Sequence, residues 1–308
     1  MIKRVLCFEK PARLSLRMAQ IVVELTDIVN NPNVPEDAKK AGIKTVPIED
    51  VGVVVLDNKQ ITITHALIAA LLENNCAIVT CDDRHLPTGL TLPLDGHNLQ
   101  TERFREQINA SEPLRKQMWQ QTVVNKIIGQ ASVLASQGVE CKNMLAWAKA
   151  VRSGDADNLE GRAAAYYWRN VFKDKDFVRA QDGLPPNNLL NYGYSIIRAM
   201  MARALVAAGL LPTLGIHHHN RYNAYCLVDD IMEPYRPFVD VVVIEMMNQG
   251  LATEEITTAH KLQLLGLCTA DVHIDGHRSP MMLAMQTTAQ SVQKCFAGTA
   301  RKIIYPDW

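Results

Sequence analysis

The sequence predicts an α+β protein: a small β-rich domain over residues 1–86, a linker over residues 87–98, and a larger all-α domain over residues 99–308. Three observations carry this expectation. Short runs rich in Val and Ile, separated by polar turns, fill the first part of the chain. Asp82, Asp83, Pro87, Gly89, Pro93, Asp95 and Gly96 then punctuate a stretch without periodicity. From about residue 99 the apolar residues recur at helical spacing.

In chain order, strands are expected at residues 14–18, 21–24, 51–57, 61–63 and 77–80. Asp57-Asn58-Lys59-Gln60 reads as a hairpin turn. Thr64 is placed to cap a helix over residues 65–73. Beyond the linker, the periodicity predicts helices at 102–108, 113–137, 145–153, 158–172, 189–208, 253–267 and 280–296. There is no internal repeat and no low-complexity tract.

Composition bounds the function classes. Apolar residues make up 48% of 308, enough for a sizeable core and against long disorder. No apolar run reaches the roughly 18 residues that a membrane helix needs; the greasiest stretch, 199–211, is interrupted by Arg203. Lys3 and Arg4 lead into Cys7, Phe8, Glu9 and Lys10, which is no secretory signal core, so a cytoplasmic protein is expected. The seven cysteines are dispersed with no C-x-x-C pair, which fits reduced thiols and argues against structural zinc. Lys+Arg and Asp+Glu both number 32, so overall charge gives no support to nucleic-acid binding. Locally the balance breaks: Lys3, Arg4, Lys10, Arg13 and Arg17 face only Glu9 at the start, while Asp229, Asp230, Glu233, Asp240 and Glu245 crowd a later stretch.

Three clusters in the helical half can carry chemistry. In the first, Glu160 lies in the opening turn of a helix. Asp157 followed by Glu160 three residues later also fits a plain capping box. The second is His217-His218-His219, which follows an apolar segment. Adjacent side chains diverge, so one metal ligand is more plausible than three, and a polar loop is the bland alternative. The third spans Asp229, Asp230 and Glu233. On a helix these acids are neighbours, and their repulsion calls for a cation. That cation is either a divalent metal or Arg236, three residues on, and Pro234 imposes an irregularity at this turn. Two carboxylates and an imidazole suit Mg²⁺ or Mn²⁺, with the imidazole favouring Mn²⁺. Such a site serves phosphoryl chemistry by neutralising phosphate charge and activating an attacking oxygen. Spacing alone does not bring the three clusters together.

At these residues the chain resembles a known family. Residues 160–168 read E-G-x-A-A-x-x-Y-W, residues 187–194 N-x-L-L-N-Y-G-Y, residues 215–220 G-I-H-H-x-N, and residues 229–240 D-D-x-M-E-P-x-R-P-x-V-D. Four motifs in this order resemble the CRISPR adaptation integrase, the universal first CRISPR-associated protein, and most closely its type II variant. The resemblance spans nearly the whole chain.

What the resemblance implies is specific. The fold would be an N-terminal β-sandwich and a C-terminal helical domain, in a homodimer that works with the small ferredoxin-like second CRISPR-associated protein. Whether an RNA-guided effector nuclease also joins is left open. Glu160, His218 and Glu233 would hold Mg²⁺ or Mn²⁺ and be the catalytic residues. Asp230 would support the metal from close by, Asn187 would orient a ligand, and Tyr192 would either touch DNA or simply pack. The activity would be insertion of short foreign DNA fragments into a CRISPR array: a fragment 3′-hydroxyl attacks a repeat phosphodiester. The duplex partners, prespacer and repeat, would be gripped mainly through phosphates. Lys126, Arg162 and Arg236 are candidates for that grip, with Arg103, Arg105 and Lys116 as weaker ones. Two alternatives stand beside this reading. One is a metal-dependent nuclease or phosphohydrolase acting on branched or single-stranded DNA with water as nucleophile. The other is a DNA-binding scaffold in which the acids and histidines are structural.

Overall fold

A computed structural model describes residues 3–172, 176–180 and 183–308. The chain divides into two compact units, Met1–Leu94 and Asp95–Trp308.

The first unit runs β1 (Arg4–Phe8), β2 (Ala12–Arg17), β3 (Gln20–Leu25), α1 (Thr26–Val29), α2 (Glu36–Ala41), β4 (Ile43–Pro47), β5 (Val51–Leu56), β6 (Thr62–Ile63), α3 (His65–Glu73), β7 (Ala77–Cys81) and β8 (Pro87–Thr91). These strands form two four-stranded sheets, ordered β1-β5-β7-β8 and β4-β3-β2-β6. In the first sheet β1, β5 and β7 are parallel and β8 is antiparallel. Strand β5 is almost wholly buried, which is why it reads as an unbroken valine run rather than an alternation. Leu14, Ile21 and Val23 from one sheet meet Val54 and Ile78 from the other, with Leu67 and Leu71 of α3, in a single apolar core.

Three local expectations change here. Asp57-Asn58-Lys59-Gln60 is no hairpin turn, because it joins β5 to β6, which belong to different sheets. Thr64 does occupy the N-cap position of α3, but its hydroxyl makes no capping bond. Strand β8 takes up the first part of the stretch read as a linker, pairing with β7 from Ile78↔Thr91 to Cys81↔Pro87. Pro87 and Gly89 suggested a break, yet an edge strand tolerates both residues.

The second unit holds α4 (Gln100–Ile108), α5 (Glu112–Ser136), α6 (Lys142–Ala150), α7 (Leu159–Asn170), α8 (Asn187–Ala207), α9 (Cys226–Met232), α10 (Arg236–Asn248), α11 (Thr258–Gly266), β9 (Asp271–Ile274), β10 (His277–Pro280) and α12 (Met281–Phe296). The antiparallel β9–β10 pair corrects the all-α expectation for this half. Asp275-Gly276, both at positive φ, close that hairpin, a dipeptide suited to such a turn.

Two helices organise the unit. Helix α8 is buried at most of its positions and packs against α9, α10, α11 and α12. It reads as apolar nearly all round because it is enclosed nearly all round. Helix α5 packs against α6, α7, α9 and α10. Its start is set by Ser111, whose hydroxyl accepts from Leu114 N, with Pro113 in the first turn. The site described next lies where α5, α7 and the α9–α10 turn approach one another.

Candidate metal centre

Glu160 is held at the start of α7 by a local device that differs from the predicted capping box. The N-cap residue is Asn158, in a left-handed conformation, and its side chain accepts from Gly161 N at 3.2 Å. Asp155 accepts from Leu159 N and Glu160 N, each at 2.9 Å. Asp157, the expected cap, pairs with Arg152 instead, at 2.6 and 2.8 Å. With the free amides of the first turn satisfied by Asp155 and Asn158, the Glu160 side chain is left to project from the helix. Its Oε1 lies 2.6 Å from Nζ of Lys126 on α5.

Glu233 reaches the same ammonium from the other side. Helix α9 stops at Met232, a short 3₁₀ turn covers Glu233–Tyr235, and Pro234 helps start the new helix α10. Glu233 is 4% exposed. Its Oε2 lies 2.6 Å from Lys126 Nζ, and its Oε1 lies 3.1 Å from Arg236 Nη2. Of the two cations expected near these acids, Arg236 pairs with Glu233, while an ammonium that was not expected, Lys126, bridges Glu233 to Glu160.

His218 is fixed by Asp230. The Asp230 carboxylate is fully buried. Its Oδ2 accepts from Ile216 N at 2.7 Å and His217 N at 2.9 Å, and its Oδ1 meets His218 Nδ1 at 2.5 Å. One acid therefore shapes the 215–218 loop and orients one imidazole. Gly215 is required by that close fit, since a Cβ there would sit 2.3 Å from the His218 carbonyl oxygen and 2.7 Å from Asp230 Oδ2. The histidine triplet divides as adjacent side chains must. His217 stacks on Trp119 at 4.1 Å, and the exposed His219 turns its Nδ1 to the His217 carbonyl at 2.8 Å.

The electrostatics follow from this packing. Burial opposes the Lys126 ammonium, but Glu233 and Glu160 outweigh it and raise its pKa. Burial likewise opposes the Glu233 carboxylate, yet Arg236 and Lys126 pull its pKa below the ordinary value. The bond to Asp230 raises His218, against burial. Burial lowers His217, and its neighbour His218 adds to the effect.

Among the described residues, the three-donor set whose ligand atoms all lie within 4.8 Å of one another is Cys7, Glu9 and Asp57 in the first unit. Glu160, His218 and Glu233 do not close that tightly with Lys126 between the carboxylates. Glu233 and Glu160 nonetheless both act electrostatically on His218.

The other expected residues behave differently. Asn187 is buried and bonds to its own loop: it accepts from Arg179 Nη1 and Ala180 N, and donates to the Val178 and Leu184 carbonyls. These bonds tie it to Val178, Arg179, Ala180 and Leu184. Tyr192 is fully buried in α8, so as folded it packs and does not reach a duplex. Arg162 is exposed with its guanidinium 4.7 Å from the Trp147 ring centre. Arg236 lies over Tyr194, 5.0 Å from the ring centre, in addition to its bond with Glu233. Arg103 donates to the Ala208 carbonyl at 2.8 Å, and Lys116 pairs with Glu112, which accounts for both structurally.

Sequence reasoning missed Asn158 as the cap and Asp155 as a second acceptor for the first turn of α7, Trp119 as the platform for His217, and Lys126 as the bridge between the acids. The last had a signal. Lys126 lies between Val123 and Ile127 in the buried stripe of α5, and a lysine in such a stripe needs acidic partners.

Residues 7–265 match the family described as CRISPR associated protein Cas1. The chain belongs to the Cas1 family. It is 34% identical over 292 residues to the CRISPR-associated endonuclease Cas1 of Neisseria meningitidis serogroup C (strain 8013), an alignment covering 94% of this chain and 91% of that protein. In fold it is similar to a casposase bound to integration product, with TM-score 0.78 and 18% identity over 98% of this chain and 92% of the other. A chain of a Cas6-RT-Cas1–Cas2 complex gives TM-score 0.72 and 18% identity, covering 98% of this chain and 36% of that longer one. At that identity the two structures speak to fold alone. The Cas1-family fold of a strand-rich N-terminal part and a helical C-terminal part is the one observed. No helix among the described residues is long and apolar enough to cross a membrane.

Proposed function

We propose that this chain is a divalent-metal-dependent DNA integrase and endonuclease that inserts short DNA fragments at the edge of a CRISPR repeat. The observation that carries this reading is the meeting of Glu160 and Glu233 at Lys126, with an Asp230-oriented His218 that feels the charge of both acids, in a chain of the Cas1 family. The Neisseria relative is named an endonuclease, and the casposase structure is described as bound to an integration product.

The donor set fits Mg²⁺ or Mn²⁺. Glu160 and Glu233 offer hard carboxylate oxygens. His218 has Nδ1 committed to Asp230, leaving Nε2 as the ligand, the usual division of labour for a metal-binding histidine. When bound, the ion would neutralise charge on the phosphate and favour the ionised form of the attacking hydroxyl. The chain's own residues do the rest. Asp230 fixes the ring orientation, Arg236 holds Glu233, and Arg162 and Lys126 offer positive charge to the DNA backbone.

In the reaction, the fragment's 3′-oxygen bonds to phosphorus as the repeat's 3′-oxygen leaves. One phosphodiester is made and one is broken, so no energy source is needed. The working assembly is proposed as a homodimer with a Cas2-type partner; the partner, not the dimer, is suggested by the Cas6-RT-Cas1–Cas2 complex among the similar folds.

The test combines the chain and its partner with a 3′-hydroxyl duplex, a supercoiled repeat plasmid and Mn²⁺. Joined products that vanish with a 3′-deoxy end support the integrase. Shortened DNA with no joining supports the plain nuclease instead.

A further inference from the structure

Lys126 holds a position that a metal ion would also need. Its side chain is 11% exposed and rises from the buried face of α5. Its Nζ lies 2.6 Å from Glu160 Oε1 and 2.6 Å from Glu233 Oε2. Without a cation there, two carboxylates would face each other in a largely dry place, at considerable cost. The ammonium removes that cost.

The two halves of the bridge are unequal. The contact to Glu160 is an aligned hydrogen bond. The contact to Glu233 Oε2 is close, but that buried oxygen receives no properly directed hydrogen bond. So a 96%-hidden acid aims lone pairs into the site that the ammonium neutralises without satisfying. A divalent ion needs no hydrogen-bond alignment, and Glu160 and Glu233 are the carboxylates that would hold it. It cannot share the space with an ammonium 2.6 Å from each of them, because the two cations would repel strongly at that range.

We infer that Lys126 is the resident counter-cation of the metal centre, and that a divalent ion binds by displacing its ammonium from between Glu160 and Glu233. This rests on the metal-centre reading above and adds an order of events to it. Metal-free protein keeps the two carboxylates together through Lys126. On loading, the four-carbon stem swings the ammonium out of the gap. The freed charge is then available to a DNA phosphate, so one side chain serves the two roles in turn. Arg236 cannot make the same exchange, being held between Glu233 Oε1 and the Tyr194 ring.

Lysine acetylation followed by peptide mass spectrometry reads the exchange directly on the whole protein. Lys126 should be protected without metal and acetylated severalfold faster with saturating Mg²⁺, while Lys116 and Lys142 keep constant rates. In parallel, Mn²⁺ titration followed by electron paramagnetic resonance should show Lys126→Met binding the ion about tenfold more tightly than wild type. Lys126 acetylation that stays constant or falls on loading, with Mn²⁺ binding still lost in Glu160→Gln, overturns the exchange but leaves the metal centre standing. Mn²⁺ binding that ignores Glu160→Gln removes the metal centre itself, and the exchange with it.

Discussion

Two acids on either side of one short turn meet opposite surroundings. Glu233 opens the turn into α10, and Asp240 lies within that helix; they are 4% and 1% exposed. Glu233 is answered by cations, Lys126 and Arg236. Asp240 is answered by hydroxyls: Tyr167 donates to its Oδ2 at 2.7 Å, and Tyr194 donates to its Oδ1. Burial pushes both carboxyls up. At Glu233 the cations win and the pKa falls below the ordinary value. At Asp240 burial wins over the tyrosines, and the pKa climbs to about 6. The lesson is that two hydrogen-bonded hydroxyls, even with the weaker pull of Arg236 and Arg179, do not substitute for two cations in direct contact in a dry site. One pocket keeps an anion and so can trade its cation; the other tends toward a neutral, hydrogen-bonded strut between α7, α8 and α10.

The strongest way to break this contrast is to neutralise the charged pocket. Glu160→Gln or Glu233→Gln should lower the rate of strand joining about 10³-fold or more, since each removes a proposed ligand. The metal-free variants should still unfold in a cooperative thermal transition like that of the wild type, because an amide of equal size keeps the packing. A folded Glu160→Gln variant that joins DNA at the wild-type rate would sink the assignment. Emptying the neutral pocket should do the converse. Asp240→Ala strands the Tyr167 and Tyr194 hydroxyls, at a cost of about 3 kcal/mol in urea unfolding. The folded fraction should still bind Mn²⁺ with an affinity close to wild type.

The same contrast explains how much was legible in the sequence. Glu160, His218 and Glu233, the proposed ligands, were singled out by local clusters of acids and histidines and by family motifs. What surrounds them was not legible, because it depends on contacts between distant segments. Lys126 meets Glu160 and Glu233 across 34 and 107 positions, and no local pattern encodes that. Helices α5 and α8 were readable from 3.6-residue periodicity and lie where it placed them, whereas α10 (Arg236–Asn248) was not among the predicted helices. Strands β1, β4 and β8 were not, since Arg4–Phe8, Ile43–Pro47 and Pro87–Thr91 are short, partly exposed and interrupted by basic, Pro or Gly residues. Their strand character comes from pairing partners rather than propensity. The Asp157 cap failed for a related reason: Asp155 and Asn158, with positive φ, satisfy the first turn from a kinked approach that a straight S/T/D-x-x-E pattern does not anticipate.

A smaller and more diagnostic effect is the pH dependence of the neutral pocket. Asp240 titrates near 3.8 when unfolded and at about 6 when folded. Between those values the native protein holds a proton that the unfolded chain has released. The stability from this group is therefore complete below the unfolded value and is lost as pH rises through about 6. The difference in unfolding free energy between wild type and Asp240→Asn isolates it, because other titrations cancel. That difference should move against wild type by about 1–3 kcal/mol from pH 4 to pH 7 and level off above. A difference that is flat over this range would mean that Asp240 stays charged, as Glu233 does.

The finest test removes one of the two hydroxyls. Tyr167→Phe deletes the bond to Asp240 Oδ2 and leaves Tyr194 on Oδ1. The direct cost should be about 1 kcal/mol at low pH, where the protonated acid can still use Tyr194. The informative change lies in the pH profile. Because the Tyr167 bond lowers the pKa of Asp240 against burial, losing it should carry the midpoint of the stability profile upward, to higher pH than in wild type. The corresponding change beside Glu233, Tyr235→Phe, touches no acid, since that hydroxyl pairs with Thr288 at 2.7 Å. It should cost a similar amount yet leave the profile where it was. Equal midpoints in the two variants would mean that the hydroxyls do not tune Asp240, and that burial alone separates it from Glu233.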